Sequence, residues 1–308
     1  MKFADFEESE YRGPLYNQLE WGNHLVWEPG QVFEKHIGID RSAYCTNDYL
    51  WGLHEYDTPL NGVLMHRRHW HFIWSERKKK KSLPNFKLNL FLQAKRPIVL
   101  TSGNKNLKTN GIKGGCWKFE TTEHQQIALE KLEDKLRGEA LVCYASPVFH
   151  KQSDLYKHTT NRSIVENSTF PSITSLKGHT AWYYDTPGAV GCANPVHERI
   201  NEESLAYRIN QLVESASYSE NEIGDGRRYL SFLAKAILEL SSECEDYYES
   251  ARLSEATIEI SRFVEEYELE DDSQYVKDYL LVREFCFLYK LQWFVLGASN
   301  KALHRTSR

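Results

Sequence analysis

The sequence predicts a mixed α/β fold, a sheet flanked by helices, followed by an all-α C-terminal region. Residues 86–96 alternate between apolar and polar side chains, which is the period of a strand. A helical pattern over 123–137 then leads to the continuous apolar run 140–145, typical of a strand buried on both faces. After residue 200 the apolar side chains recur at the spacing of amphipathic helices.

The composition, in which no membrane or secretory segment is evident, predicts a cytoplasmic protein. No apolar run is long enough to cross a bilayer, and the acidic N-terminus lacks the apolar segment of a secretory signal. The six cysteines are scattered and form no CxxC pair, which makes a zinc site of the usual spacing unlikely and favours reduced, unpaired thiols.

Charge divides the chain near residue 200. Residues 1–200 carry a net charge of +4, whereas residues 201–308 carry −9. We therefore predict an α/β domain over 1–200, with a β elaboration at 148–200, and an acidic helical domain over 201–308. The first part suits a polyanion, whereas the acidic part would repel one and suits a protein partner or self-association.

Each region has its own predicted elements. An opening helix is expected over 7–20, and the β elaboration contains predicted strands at 163–166 and 180–184. The predicted helices of the C-terminal region span 201–217, 226–250, 252–268 and 273–296.

Two polar residues stand out near the end of the predicted strand 86–96. Gln93 and Lys95 fall on one face, while the opposite face carries only apolar side chains, and Pro97 then ends regular pairing. Two interpretations are open at this point. The polar side chains belong to a sheet face that is open to water, or they belong to a functional site.

Upstream acidic residues favour the functional interpretation. Glu34 lies in a short predicted helix that Gly38 ends, and Asp40 follows where a strand would begin. Taken singly, Glu34 also fits a solvated carboxylate on a helix face, and Asp40 fits a turn or cap residue; it is their joint occurrence ahead of Gln-x-Lys that points to a site. A helical Glu, a Gly-x-Asp and a downstream Gln-x-Lys strand resemble the PD-(D/E)xK nuclease superfamily, with Gln in place of the motif Glu. The resemblance spans roughly residues 10–150 and implies a restriction-endonuclease-like mixed sheet.

The resemblance also implies a catalytic site. Asp40, Gln93, Lys95 and Glu34 would be catalytic, and Asp40, Glu34 and Gln93 would bind Mg²⁺, with Mn²⁺ as an alternative. Lys95 would orient or activate the attacking water. The implied activity is metal-dependent hydrolysis of phosphodiester bonds, those of DNA first, in a setting such as bacterial restriction or antiphage defence.

The alternative is a catalytically inactive member of the same fold. Gln93 removes one negative charge from the motif, which weakens metal binding, so the chain would serve as a nucleic-acid-binding or scaffolding subunit. A third hypothesis sets the resemblance aside and makes the chain an α/β adaptor that works through its helical part.

Further candidates flank the motif. Basic residues that would grip phosphates, or simply form a solvated loop, are Arg77, Lys78, Lys79, Lys80, Lys81 and Arg96. His124 and Gln125 occupy the first turn of the predicted helix 123–137, where free backbone N–H groups favour anions. By the resemblance they are auxiliary residues, and otherwise they are ordinary polar residues at a helix start.

Overall fold

A computed structural model describes residues 2–19, 26–27, 42–43, 88–102, 104–112, 114–136, 138–217, 226–244, 248–266 and 273–296. The helices in this part of the chain are α1 (Glu8–Leu19), α2 (Lys105–Thr109), α3 (Glu123–Leu136), α4 (Gln152–Thr160), α5 (Leu205–Ser217), α6 (Gly226–Glu243), α7 (Tyr248–Glu266) and α8 (Ser273–Leu288). The strands are β1 (Lys2–Phe3), β2 (Val26–Trp27), β3 (Ser42–Ala43), β4 (Leu88–Ala94), β5 (Ile98–Leu100), β6 (Cys116–Glu120), β7 (Ala140–Pro147), β8 (Ser168–Thr169), β9 (Ala181–Tyr184), β10 (Val190–Asn194), β11 (Glu198–Asn201) and β12 (Leu291–Leu296). The fold is mixed α/β, as predicted.

The Gln-x-Lys strand, β4, lies inside a four-stranded sheet of order β12-β4-β7-β8. β4 and β7 are parallel, whereas β12 and β8 are antiparallel to their neighbours. The carboxyl ends of β4 and β7 therefore lie at the same edge of the sheet. In open α/β sheets, the side chains that follow parallel strands at this edge converge and form ligand sites.

Both faces of β4 are covered. Leu90 and Leu92 belong to the core shared with α1, as the apolar alternation predicted. Phe91 belongs to a second core, shared with α3, α6 and α8. Asn89 and Gln93, the polar residues on the side of Phe91, are also buried. The alternative of a face open to water is therefore wrong, because helices cover that face.

A second sheet has six antiparallel strands in the order β1-β5-β6-β9-β10-β11. The predicted strand at 180–184 is confirmed as β9. The predicted strand at 163–166 is wrong, because Val165–Asn167 forms a 3-10 turn. Gln18 Oε1 accepts hydrogen bonds from the backbone N–H groups of Ile164 and Val165, which replace the bonds of a strand ladder.

The C-terminal region is not all-α. The predicted helix 273–296 ends at Leu288, and the following residues form β12, which pairs with β4 from Leu291 opposite Gln93 to Leu296 opposite Leu88. Leu291 and Phe294 lie three positions apart, which suits one face of a helix. In the strand they lie on opposite faces, and each is buried in a different core. Strand formation here depends on the free edge of β4, which only the tertiary structure supplies.

The other C-terminal helices largely follow the prediction. The predicted helices 201–217 and 226–250 correspond to α5 and α6, although α6 ends at Glu243, and α7 begins already at Tyr248. Residues of α6 and α8 share one hydrophobic core with β4 and β7. The core thus continues across residue 200, where the domain boundary was predicted.

Within the described part of the chain, no helix has both the length and the apolar character needed to cross a membrane.

Candidate functional site at the carboxyl end of β4

Lys95 directly follows β4, and the neighbouring strand fixes its backbone. Its N–H donates to the carbonyl of Ala145 at 2.8 Å, and its carbonyl accepts from the Ser146 hydroxyl at 2.9 Å. The hydroxyl of Tyr184 lies 2.7 Å from the Ser146 hydroxyl and connects this point to the second sheet. Lys95 Nζ lies 5.3 Å from the ring centroid of Tyr144, within the range of a cation–π contact. The half-buried ammonium group is therefore held at the edge where a ligand site is expected.

Gln93 is buried beside Lys95, and among the described residues only the NH₂ group of its side-chain amide has hydrogen-bond partners. Its Nε2 donates to the backbone carbonyl of Tyr289 at 2.7 Å and to Gln125 Oε1 at 3.2 Å. The side chain is 1% exposed, and Oε1 has no hydrogen-bond partner among the described residues. Buried acceptors are nearly always satisfied, so this oxygen is in place to accept a bond from water or to bind a cation.

The two predicted auxiliary residues have different positions. Gln125, in the first turn of α3, contacts Gln93 and so lies close to the end of β4. His124 faces α7 instead, where its Nε2 lies 2.9 Å from Glu249 Oε1. This contact joins α3 to α7, and an auxiliary role for His124 stays a prediction.

Burial is the largest influence on the pKa of Lys95. The pKa of its ammonium group is lowered to about 8, chiefly by loss of hydration. The carboxylate of Glu8 opposes this shift, and the neighbouring Lys290 contributes to it. A lysine with a pKa near 8 exists in both protonation states close to neutral pH. Lys95 can therefore hold or give up a proton under physiological conditions.

Glu8, in the first turn of α1, is the carboxylate that Lys95 senses most strongly. Partial burial raises its pKa, although Lys95, Lys290 and Arg12 all act to lower it. Desolvation thus outweighs mutual attraction on both Glu8 and Lys95. Among the described residues, Lys95 and Lys290 place two positive charges near the one carboxylate of Glu8, an arrangement that favours an anionic ligand.

Arg96 is engaged with the N-terminal segment. Its guanidinium donates to the backbone carbonyl of Ala4 at 2.7 Å and lies 5.3 Å from the ring centroid of Phe3. This contact anchors the segment that leads into α1, and so positions Glu8. The predicted role of Arg96 in binding nucleic acid stays a prediction.

The remaining predicted residues lie outside the described part of the chain. These are Glu34, Asp40, Arg77, Lys78, Lys79, Lys80 and Lys81. Among the described residues no group of three His, Cys, Asp or Glu side chains forms a metal site. The described oxygen atoms near Lys95 that suit Mg²⁺ are the Glu8 carboxylate and Gln93 Oε1. Mg²⁺ binding at this edge stays a prediction, and it includes Glu34 and Asp40, which lie outside the described residues.

Comparisons of the chain with protein-family models, curated proteins and solved structures found no match. The chemistry of this edge therefore has to be inferred from its own side chains.

Sequence reasoning missed Glu8 and Lys290. The sequence does contain a signal for Glu8, because a helical Glu is expected upstream of the motif and Glu8 lies in the predicted opening helix 7–20. The Gly-x-Asp that follows Glu34 favours Glu34 for this role instead. No feature of the sequence indicates that Lys290 lies near Lys95. Its position depends on the pairing of β12 with β4, in a segment whose spacing favoured a helix.

Proposed function

We propose that this chain is a metal-dependent nuclease of the restriction-endonuclease-like type, acting on DNA, with its site at the carboxyl end of β4. One observation carries the proposal. A half-buried lysine whose pKa is lowered to about 8 lies there near a carboxylate and a buried amide oxygen that has no hydrogen-bond partner among the described residues. The carboxylate and the amide oxygen are possible ligands of Mg²⁺, and a lysine can stabilise negative charge on a phosphate.

The topology is compatible with this proposal. β4 is followed by α3 and by β7, which returns parallel and adjacent to β4. The resemblance implied this succession of motif strand, helix and strand. The insertion of β5, α2 and β6 before α3, and the supply of β12 from the C-terminal region, distinguish this chain from the implied plan.

Each residue has a task that follows from its environment. Lys95 stabilises negative charge on the phosphate when protonated, and orients or deprotonates the attacking water when neutral. Glu8 and Gln93, with Glu34 and Asp40, would hold Mg²⁺, which supplies charge neutralisation and a more acidic bound water. Gln125 positions Gln93 through the 3.2 Å contact between their amides.

The second candidate is a nucleic-acid-binding protein of the same fold without turnover. The observation in its favour is that Gln93 Nε2 is bound to the carbonyl of Tyr289, a role that links two strands and is independent of any metal. A neutral amide also attracts a divalent cation less than the motif carboxylate would.

A cleavage assay separates the candidates. Supercoiled plasmid and single-stranded DNA are incubated with Mg²⁺ and with the native chain, Lys95→Ala, Glu8→Gln or Lys235→Ala. Lys235 is a matched control, since its side chain is 77% exposed on α6 and is paired only loosely with Glu239. We expect cleavage by the native chain and by the control, none by Lys95→Ala and less by Glu8→Gln.

The controls decide how the result is interpreted. Circular dichroism of each variant verifies that the fold persists, and omission of Mg²⁺ verifies the need for metal. Equal cleavage by the native chain and Lys95→Ala would contradict a site at this edge. DNA binding without cleavage, at any metal concentration, would support the second candidate.

A further inference from the structure

Lys290 is brought to the site by both of its neighbours in sequence. The carbonyl of Tyr289 accepts the 2.7 Å hydrogen bond from Gln93, and Leu291 lies opposite Gln93 in the β12–β4 ladder. Tyr289 is itself fixed, because its ring is buried and lies 4.6 Å from the ring of Phe285. The backbone of Lys290 therefore cannot move away from the end of β4 without breaking these contacts.

The side chain of Lys290 is exposed and lies close enough to act on the charged groups of the site. Its ammonium group lowers the pKa of both Lys95 and Glu8. Two positive charges that lie near each other destabilise the folded state. Placing Lys290 near Lys95 is therefore unfavourable unless a negatively charged group binds to both. Among the described residues, Glu8 is the carboxylate whose charge acts on Lys95, and it is also acted on by Lys290.

The backbone of Lys290 is also unusual. Its φ is +54°, in the left-handed region, immediately after α8 ends. Glycine or asparagine normally occupies this position after a helix, because a Cβ atom is strained there. Strained residues that persist in a fold are concentrated at functional sites. A lysine here gives up stability that glycine would provide.

We propose that Lys290 is a phosphate-binding residue of the site, which grips the phosphodiester backbone of nucleic acid next to Lys95. This inference rests on the proposed function for the identity of the ligand, but it concerns binding and not cleavage. It gives the C-terminal region a direct part in the site, although the region as a whole is acidic.

Metal-free binding to short DNA tests the proposal without requiring cleavage. Fluorescence anisotropy of labelled duplex and single-stranded DNA, in EDTA and over a series of salt concentrations, is compared for the native chain, Lys290→Gly, Lys290→Arg and Lys235→Ala. Because each phosphate contact contributes about 0.9 to the slope of log K against log salt on duplex DNA, we expect Lys290→Gly to reduce the slope by about 0.9. Affinity at low salt should fall several-fold, and Lys290→Arg and Lys235→Ala should retain both.

Thermal unfolding of the same variants separates binding from folding. Glycine is compatible with φ near +54°, so Lys290→Gly should unfold at the same or a higher temperature than the native chain. Weaker binding by a variant of equal or greater stability would support the proposal even if no nuclease activity were found. Unchanged binding by Lys290→Gly would overturn it, while cleavage that depends on Lys95 would leave the nuclease proposal intact. Failure of the native chain to bind DNA or a matched RNA at low salt would also overturn it.

Discussion

The side-chain amide of Gln93 donates to the backbone carbonyl of Tyr289 at 2.7 Å, although the two residues are 196 positions apart in the chain. This bond joins the end of β4 to the end of α8, at the point where β12 begins. It places the motif residue, the C-terminal region and Lys290 in one structural unit.

Restoring the motif acid by Gln93→Glu should destabilise the metal-free protein. A carboxylate at this position would face two acceptors, the carbonyl of Tyr289 and Gln125 Oε1, and would lose both hydrogen bonds. We expect a loss of about 2 kcal/mol or more in the free energy of unfolding, since a buried charge would be left unsatisfied. Urea denaturation in EDTA measures it.

Mg²⁺ should recover much of that loss if the site binds metal, because a ligand that binds the folded state raises its stability. Gln211→Glu is the control, since Gln211 is exposed on α5 and the same change there alters only surface charge. Equal stability of Gln93→Glu and the native chain in EDTA would contradict the buried position of Gln93.

Replacing Lys95 by methionine should stabilise the protein at neutral pH. The pKa of Lys95 is lower in the folded state than in the unfolded state, so the unfolded chain binds more protons between about pH 8 and pH 10.5. Native stability therefore rises with pH across this window, and the penalty for burying the charge is present in full below it. We expect Lys95→Met to gain about 2 kcal/mol at pH 7, with partial water access reducing the full value.

The pH dependence provides the check on this assignment. The difference in unfolding free energy between Lys95→Met and the native chain should shrink as pH rises from about 8 to about 10.5, because the native lysine becomes neutral in both states. A constant difference over that window would show that burial of charge is not its cause.

A fragment of residues 1–200 should not fold independently. It lacks β12, which pairs with one edge of β4, and it lacks α6 and α8, which cover Phe91 and Val142. An exposed apolar sheet face and an open edge favour aggregation. We expect weak near-ultraviolet circular dichroism and no cooperative urea transition, in contrast to a longer fragment that retains 1–296. Cooperative unfolding of fragment 1–200 would instead support the domain boundary predicted near residue 200.

Trp293→Phe should test the contact between β12 and β4. Trp293 Nε1 donates to Asn89 Oδ1 at 2.7 Å, and its ring stacks on Phe91 with centroids 6.4 Å apart. Phenylalanine keeps the apolar contact but removes the donor of the hydrogen bond to the buried Asn89, which should lower the free energy of unfolding measured with urea by about 1–2 kcal/mol.

Trp117→Phe is the matched control for this substitution. Trp117 stacks on Tyr184 with centroids 6.2 Å apart, but its Nε1 has no hydrogen-bond partner in the described part of the chain. The same change there should cost less than it does at Trp293. Equal losses at the two tryptophans would indicate that ring volume, and not the bond to Asn89, determines the effect.

The local residue pattern was sufficient to predict those elements whose structure depends mainly on residues close in sequence. Alternation predicted β4 and its apolar face, and a polar first turn followed by leucines at helical spacing predicted α3. The helix stops at Gly138, whose φ of +80° a glycine adopts without strain. The same local reasoning placed Gln93 and Lys95 at the end of one strand, and the fold then brought Gln125 into contact with Gln93.

The sequence by itself determined the α/β class, the motif strand and the polarity of its two faces, because these depend on residue spacing within a few turns or a few strand residues. Only the tertiary structure decided that Leu291–Leu296 is a strand, since its hydrogen bonds are made by β4, about 200 positions earlier in the chain. The positions of Glu8 and Lys290 beside Lys95 were decided in the same way. Charges from distant segments become neighbours only when the chain folds, and it is chiefly the burial of Lys95 in the folded chain, not the sequence pattern, that lowers its pKa.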